Sequence, residues 1–312
     1  MQKTSIGPFE WALLIGLSII WGGSYLFMKV AVASVPVFTI VFARVALGAL
    51  TLAMIIAAIR APFPKGLKTW IAFLGMGIVN NVIPMSLIVY GTSKIDAGLA
   101  SIINAMTPLF AIIIAHFATQ DERLTANRLL GVILGVLGVI VLIGPGLIFG
   151  STINIWGELA CLAATLSYAS ASIFGRRFAR MNLKPMQIAF GQTLSASVVL
   201  FPISWVIDQP LTIAMPPLDA ILSIAALGIL CTAIGYLMYF RVLNNSGAVA
   251  VALVTLLIPP SALILGIFVL GETLSISDLI GMGLIGLGLT IVNFKFGLFQ
   301  TIKDRKIATT SS

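Results

Sequence analysis

The residue with the most demanding chemistry in this sequence is Arg44, the one basic side chain well inside an apolar run. A guanidinium at such depth needs acceptors or an anion, which makes it a functional candidate by position. Lys29 lies close to it in depth, and together they could form an electropositive vestibule for a carboxylate or phosphate. The alternative is that Arg44 bonds carbonyls at a helix end while Lys29 snorkels to the interface. Asn80 and Asn81 fall in the middle of another run, ahead of Pro84. Buried amides in a bilayer either join helices by hydrogen bonds or touch a solute. Adjacent residues point about 100° apart on a helix, so at most one of the two faces a central pathway. Ser101, Asn104 and Pro108 follow helical spacing with Thr107 beside them, giving one polar face at a proline. Proline removes a donor and kinks a helix, and in lipid the freed carbonyls need neighbours or a wet cavity. Pro259 and Pro260 repeat the feature, and Thr255 joins them as a pathway candidate. Tyr25, Tyr168, Tyr236 and Tyr239, with Trp21 and Phe42, supply amphipathic rings. An aromatic wall with a few polar points suits a small organic molecule, although such rings also serve packing.

Other chemistries are thinly provided for. Cys161 and Cys231 lie in apolar runs and read as small buried hydrophobes, with no disulfide or metal role. His116, the sole histidine, sits toward the end of its run and reads as interfacial rather than as a proton relay. Glu158 opens an apolar run after Asn154, where a carboxylate suits a helix N-terminus; the second reading is a proton site. Glu122 and Glu272 precede their runs by a few residues and read as structural. There is no His-Glu-x-x-His and no Gly-rich loop ending in Lys-Ser or Lys-Thr, so neither a metal, a cofactor nor ATP hydrolysis is expected.

The elements that position these residues follow from composition. With 59% hydrophobic and 9% charged residues in 312 positions, the chain cannot cover a water-soluble surface, since ordinary domains carry about 25% charge. At about 20 apolar residues per crossing, helices are expected near 11–31, 36–59, 69–90, 96–119, 126–145, 155–175, 185–207, 218–241, 247–270 and 277–296. The runs are continuously apolar rather than alternating, so the fold class is all-α, a polytopic membrane protein of ten transmembrane helices. If the N-terminus is cytoplasmic, fifteen of the eighteen basic residues fall on inner segments, Lys3, Arg60, Arg128, Arg176, Arg241 and Lys295 among them. That bias predicts both termini inside, with 1–10 and 297–312 as cytoplasmic tails. The charge of +8 therefore concerns topology and not nucleic acid.

The sequence also repeats itself. Aligning 90–126 with 240–276 places Gly98 on Ala248, Glu122 on Glu272, Leu124 on Leu274 and Thr125 on Ser275. Further on, Gly131 meets Gly281 and Gly138 meets Gly288; earlier, Pro36 meets Pro185 and Lys29 meets Arg177. Five spans per copy is an odd number, so the second copy must lie upside down relative to the first. Two inverted five-helix repeats, 11–145 and 155–296, are the expected domains, an arrangement that marks transporters with a site between the halves. The glycine-rich fifth and tenth spans offer small surfaces for close helix approach and are assigned to the periphery.

In this setting the residues resemble the ten-helix branch of the drug/metabolite transporter superfamily, built from two EamA domains. The motifs are Trp21-Gly22, Pro36 with Arg44, Pro108 followed by Asp121-Glu122-Arg123-Leu124-Thr125, then Gly157-Glu158-Leu159 leading to Ser167-Tyr168-Ala169, and Pro259 with Gly271-Glu272-Thr273-Leu274. The resemblance covers about residues 11–294. It implies a cavity lined by spans one to four and six to nine, and secondary transport, often export of amino acids, metabolites or toxic compounds. Tyr168 stands where many relatives carry tryptophan, and the paired Pro259-Pro260 departs from the single proline of the first half. The expected partners are a small-molecule solute, the lipid bilayer, a proton or counter-substrate, and a second copy in a homo-oligomer; the expected location is the cytoplasmic (inner) membrane of a bacterium. An intramembrane enzyme acting on lipid-linked substrates would need paired carboxylates, a metal cluster or an activated nucleophile. A non-transporting receptor or assembly subunit would leave the central prolines and Arg44 without a purpose.

Overall fold

The computed structural model describes residues 7–119, 125–149 and 155–293. The first half runs α1 (Pro8–Val32), α2 (Val37–Ala58), α3 (Leu67–Thr92), α4 (Ala97–Ala118) and α5 (Ala126–Phe149). The second runs α6 (Ile155–Met181), α7 (Pro185–Asp208), α8 (Leu218–Ser246), α9 (Leu253–Leu270) and α10 (Ile276–Asn293). Nine of these helices are long and apolar enough to cross a bilayer, and α10 is a shorter apolar helix within the described residues. No strand occurs among the described residues. The protein is an all-α polytopic membrane protein.

Prolines set several starts. Pro8 opens α1 at its first position, inside the segment expected as a tail, and Pro36, Pro185 and Pro217 stand at the beginnings of α2, α7 and α8. Their fixed φ suits the first turn, where a missing N–H costs nothing. α6 continues through a 3₁₀ turn, Arg176–Met181, and stops where Asn182 takes a left-handed φ of 51°. The cluster Arg176, Arg177 and Arg180 is therefore carried on a helical turn.

Three departures from simple spans matter. α4 is interrupted at Ala105–Met106, just before Pro108. Pro108 cannot donate to the Asn104 carbonyl, and the Thr107 hydroxyl does so instead at 2.8 Å. In contrast, Pro259 and Pro260 sit inside helix that continues unbroken, so of the two proline-bearing spans only the first is interrupted. Finally, helical geometry persists from Gly235 to Leu265, through the gap expected at 242–246. The chain still turns back there. Gly235 abuts Trp21 while Ser261 and Ile258 abut Gly22, whereas a straight helix would hold Gly235 and Ile258 about 35 Å apart.

The contacts come in exchanged pairs. α5 and α10 pack antiparallel, so that a Cβ on Gly131 would lie 2.6 Å from the Gly288 carbonyl oxygen and one on Gly138 would lie 2.8 Å from that of Gly281. Since Gly131 aligns with Gly281 and Gly138 with Gly288, each contact is the other with the halves swapped. The same exchange relates α2 against α8, where Gly48 meets Thr232 and Gly228, to α7 against α3, where Ala196 meets Gly77. Such reciprocity is what a two-fold relation between the expected repeats would produce. Leu129, Ile133, Ile140, Leu279, Ile280 and Leu287 point outward from α5 and α10, which places this pair at the rim.

Both α3 and α8 widen into π-helical turns at matching positions, Ile78–Val82 and Leu227–Ile234. Such turns release carbonyls from the helix ladder. The Val79 carbonyl accepts the Ser167 hydroxyl at 2.6 Å, and the Cys231 carbonyl accepts Trp21 Nε1 at 3.0 Å. In each half a π turn is thus bonded to the first helix of the other.

Candidate functional site

Between the halves lies a cavity of about 500 Å³, within the range that holds small organic ligands. Its walls are aromatic: Trp21, Tyr25, Tyr168, Tyr236, Tyr239 and Phe240. Polar points come from Arg44, Asn80, Asn104, Thr107, Gln192 and Thr255. Trp21 and Tyr239 pack at 5.6 Å between ring centroids, and Tyr239 meets Phe240 edge-on at 5.3 Å. The cavity reaches the surface on the side of Ser172 and Arg176, both exposed, and ends blindly among the buried Met28, Arg44 and Ile88.

Arg44 is 7% exposed at that blind end. Its Nε donates to Thr232 Oγ1 at 3.0 Å, and Nη1 lies 3.7 Å from the Met28 sulfur. Thr232 in turn donates to the Leu227 carbonyl, five residues back, at 2.8 Å, a bond made possible by the π turn. A neutral network joins the two halves elsewhere in the bundle, with Asn80, Gln192 and Tyr236 on the cavity wall. Asn80 Nδ2 donates to Gln192 Oε1 at 3.0 Å and to the Tyr236 hydroxyl at 3.2 Å, Asn81 Nδ2 donates to Gln192 Oε1 at 3.4 Å, and the Tyr236 hydroxyl donates to Asn81 Oδ1 at 3.1 Å. Asn104 Oδ1 is buried with no hydrogen-bond partner.

The far side, around Asp96, is tied shut. The Glu272 carboxylate accepts the backbone N–H groups of Ala97 at 2.7 Å and Gly98 at 3.0 Å, capping α4 across the boundary between halves. A carboxylate on two free donors of a helix N-terminus is a charge-assisted cap. Asp208 accepts both the N–H of Thr39 at 2.6 Å and its hydroxyl at 2.9 Å. On the Arg176 side, Gln187 Nε2 donates to the Pro62 carbonyl at 2.8 Å. Glu122, the repeat partner of Glu272, lies outside the described residues.

The cavity gathers Tyr25, Arg44, Asn80, Asn104, Thr107, Tyr168, Tyr236, Tyr239 and Thr255 from the sequence candidates, and leaves Lys29, Asn81, Pro108 and Pro259 off its surface. Lys29 does not share a vestibule with Arg44. Its ammonium donates to the Ile95 carbonyl at 2.7 Å and stands 4.0 Å from Asp96. Equal depth gave the two residues no common direction: Met28 faces the cavity, and Lys29, one position on, turns toward the loop between α3 and α4. Asn81 is wholly buried behind Asn80. The prolines shape the helices without touching the cavity. Gln192 and Thr232 were not among the candidates. Gln192 is the one long amide near the middle of α7, a signal diluted by Thr193, Ser195 and Ser197 beside it. Glu158 lies away from the cavity, 1% exposed, with neither carboxyl oxygen hydrogen-bonded.

Comparisons with known proteins bear on this geometry. The profile of the EamA-like transporter family matches residues 9–144 and again 155–294. The uncharacterized transporter YoaV of Bacillus subtilis is 24% identical over 91% of this chain and 96% of its own length. The uncharacterized inner membrane transporter YedA of Escherichia coli is 26% identical over 92% and 91%, and an uncharacterized transporter of Archaeoglobus fulgidus is 26% identical over 91% and 98%. A solved crystal structure superposes with a TM-score of 0.65 at 19% identity, covering 91% of this chain and 96% of that chain, a likeness that carries the fold. With the family profile matched twice across nearly the whole length, the chain belongs to the EamA-like transporter family and is an integral membrane transporter.

Proposed function

We propose that the protein is a secondary transporter that exports a small organic solute from a bacterial cytoplasm by alternating access. The observation that carries the reading is a solute-sized cavity between two exchange-related halves, blind on the Asp96 side and reaching the surface on the Arg176 side. Two packings of equal kind, related by swapping the halves, are what a carrier needs to offer one site to both sides in turn. The basic residues, concentrated on the Arg176 side, orient that side toward the cytoplasm, so the cavity is open to solute from within. The bonds of Glu272 and Asp208 across the halves are then the outer closure. Coupling to a proton or to a counter-substrate completes the cycle. The test is counterflow in vesicles containing the purified protein, with a broad panel of metabolites. Saturable, protein-dependent exchange supports the proposal, and its absence across the panel defeats it.

A further inference from the structure

We propose that the solute carries an anionic group, a carboxylate or a phosphate, that docks on Arg44 at the blind end of the cavity; this rests on the transport reading of the same site. Arg44 is nine-tenths buried, and its recorded partners are a threonine hydroxyl and a thioether. A guanidinium presents five N–H donors in a planar fork. Here one goes to a hydroxyl, one to a weak sulfur acceptor, and no carboxylate pairs with it among the described residues. Nor does any Asp or Glu line the cavity. Keeping a positive charge at such depth without a counter-ion is costly, and the cost is offset when the cavity's occupant supplies the opposite charge.

The geometry selects the kind of anion. The fork matches two oxygens of a carboxylate or a phosphate side by side, a match that ammonium groups do not make. Thr232 holds Nε, fixing the guanidinium plane and leaving the opposite edge for the incoming group. The anion enters first, because Arg44 lies at the closed end. The rest of the solute then occupies the aromatic stretch between Tyr25, Tyr168, Tyr236 and Tyr239. The substrate class is therefore an amphipathic organic anion, and cations are excluded by the charge already present.

The test is a matched series on the purified full-length protein: phenylacetate, benzyl phosphate, the uncharged phenylacetamide and the cation phenethylammonium. Binding is read by quenching of tryptophan fluorescence, since Trp21 lines the cavity, and by the ligand-induced rise in Tm. One or both anions should bind at least about tenfold more tightly than the amide, as charged hydrogen bonds require, and the cation should not bind. Comparing the two anions identifies which group the fork takes. Arg44→Gln should remove the preference for anions, and Arg44→Lys should retain part of it. Equal binding of amide and anion by the natural protein overturns the proposal, as does lack of any anion-selective binding; both are read without a variant, so a poorly folding Arg44→Gln does not shield it. Anion binding without flux in vesicles would defeat the transport reading while leaving this site in place. Saturable flux of cations or neutral solutes alone would do the reverse.

Discussion

The contact of α2 with α8 and the contact of α7 with α3 are the same packing made twice, with the halves exchanged, yet they carry opposite chemistry. At the first, Arg44 leans on Thr232 with donors to spare. At the second, Gln192 accepts from Asn80 and Asn81, and Tyr236 donates to Asn81. The repeat partner of Arg44 is Thr193, whose hydroxyl bonds within its own helix to Ala189 and Phe190. Duplication thus supplied two equivalent places to cross the bundle. One became a neutral strut, and the other kept an open charge. An amide network across the halves stabilises one arrangement, whereas a guanidinium with spare donors can take a ligand, as proposed for Arg44.

The comparison is broken most forcefully at the glycines that allow each crossing. A Cβ on Gly77 would stand 2.8 Å from the Gln192 carbonyl oxygen and 3.0 Å from the Ala196 nitrogen, both backbone atoms, whereas one on Gly48 would meet chiefly the Thr232 side chain at 2.7 Å. Backbone cannot swing aside, so Gly77→Val should prevent recovery of folded monodisperse protein, judged by size-exclusion chromatography. Gly48→Ala should yield folded protein that has lost Arg44 function, because Thr232 must rotate away. If Gly48→Ala proves the more damaging to folding, the crossings do not divide labour as described.

Next in size is the strut itself. Gln192→Leu removes the acceptor shared by the buried Asn81 and the half-buried Asn80, and leaving a buried donor unmade costs about 1–3 kcal/mol. Thermal unfolding should show a lower Tm, while the preference for anions persists. Arg44→Gln should do the converse, with binding lost and Tm changed less. A Tm drop in Arg44→Gln larger than in Gln192→Leu would mean that the guanidinium is the strut.

Some of the residues in these crossings were legible in the sequence, and the missing parts share a cause. The spans and the rim position of the Gly131 and Gly281 helices follow from hydropathy and glycine spacing, which are one-dimensional. Arg44, Asn80, Asn104 and the tyrosines stood out because polar atoms at mid-depth are rare. Lys29 misled because depth along a helix carries no information on azimuth. The π turns at Ile78–Val82 and Leu227–Ile234 were invisible because an i to i+5 ladder is held by partners on other helices, Ser167 and Trp21, and not by local composition. Gln192 was hidden among neighbours of similar polarity, and its role depends on Asn80 and Asn81 lying opposite.

The Asp96 side offers a third, smaller contrast, between Glu272 and Asp208. Both carboxylates accept two donors from the first half. Glu272→Gln keeps an acceptor but loses the charge facing the N-terminus of α4, a loss of about 0.3–1 kcal/mol at a helix end. Such a change loosens the Asp96 side without unfolding the bundle, so a cysteine placed at Met28 should react faster with a membrane-impermeant thiol reagent added from that side. Asp208→Asn should have a similar but independent effect, and the double variant should approach the sum if the two clamps act separately.

The finest test concerns the two π turns, which look alike but hold different neighbours. Ser167→Ala deprives the Val79 carbonyl of its hydroxyl at 2.6 Å, and Trp21→Phe deprives the Cys231 carbonyl of the indole N–H at 3.0 Å. Each loss is about 1 kcal/mol in stability, so neither variant should fail to fold. Their consequences differ by what each turn carries. The Val79 carbonyl lies next to Asn80 and the closed amide network, so Ser167→Ala should register in Tm and leave binding within about twofold, a difference worth less than half a kcal/mol. The Cys231 carbonyl lies next to Thr232, the residue that orients Arg44, and Trp21 itself lines the cavity. Trp21→Phe should therefore weaken anion binding more than it lowers Tm, read for this variant by isothermal calorimetry because its fluorescence reporter is gone. Equal effects of the two variants on binding would show that the chemistry of the crossings is shared between halves, and that Arg44 is not the point at which they part.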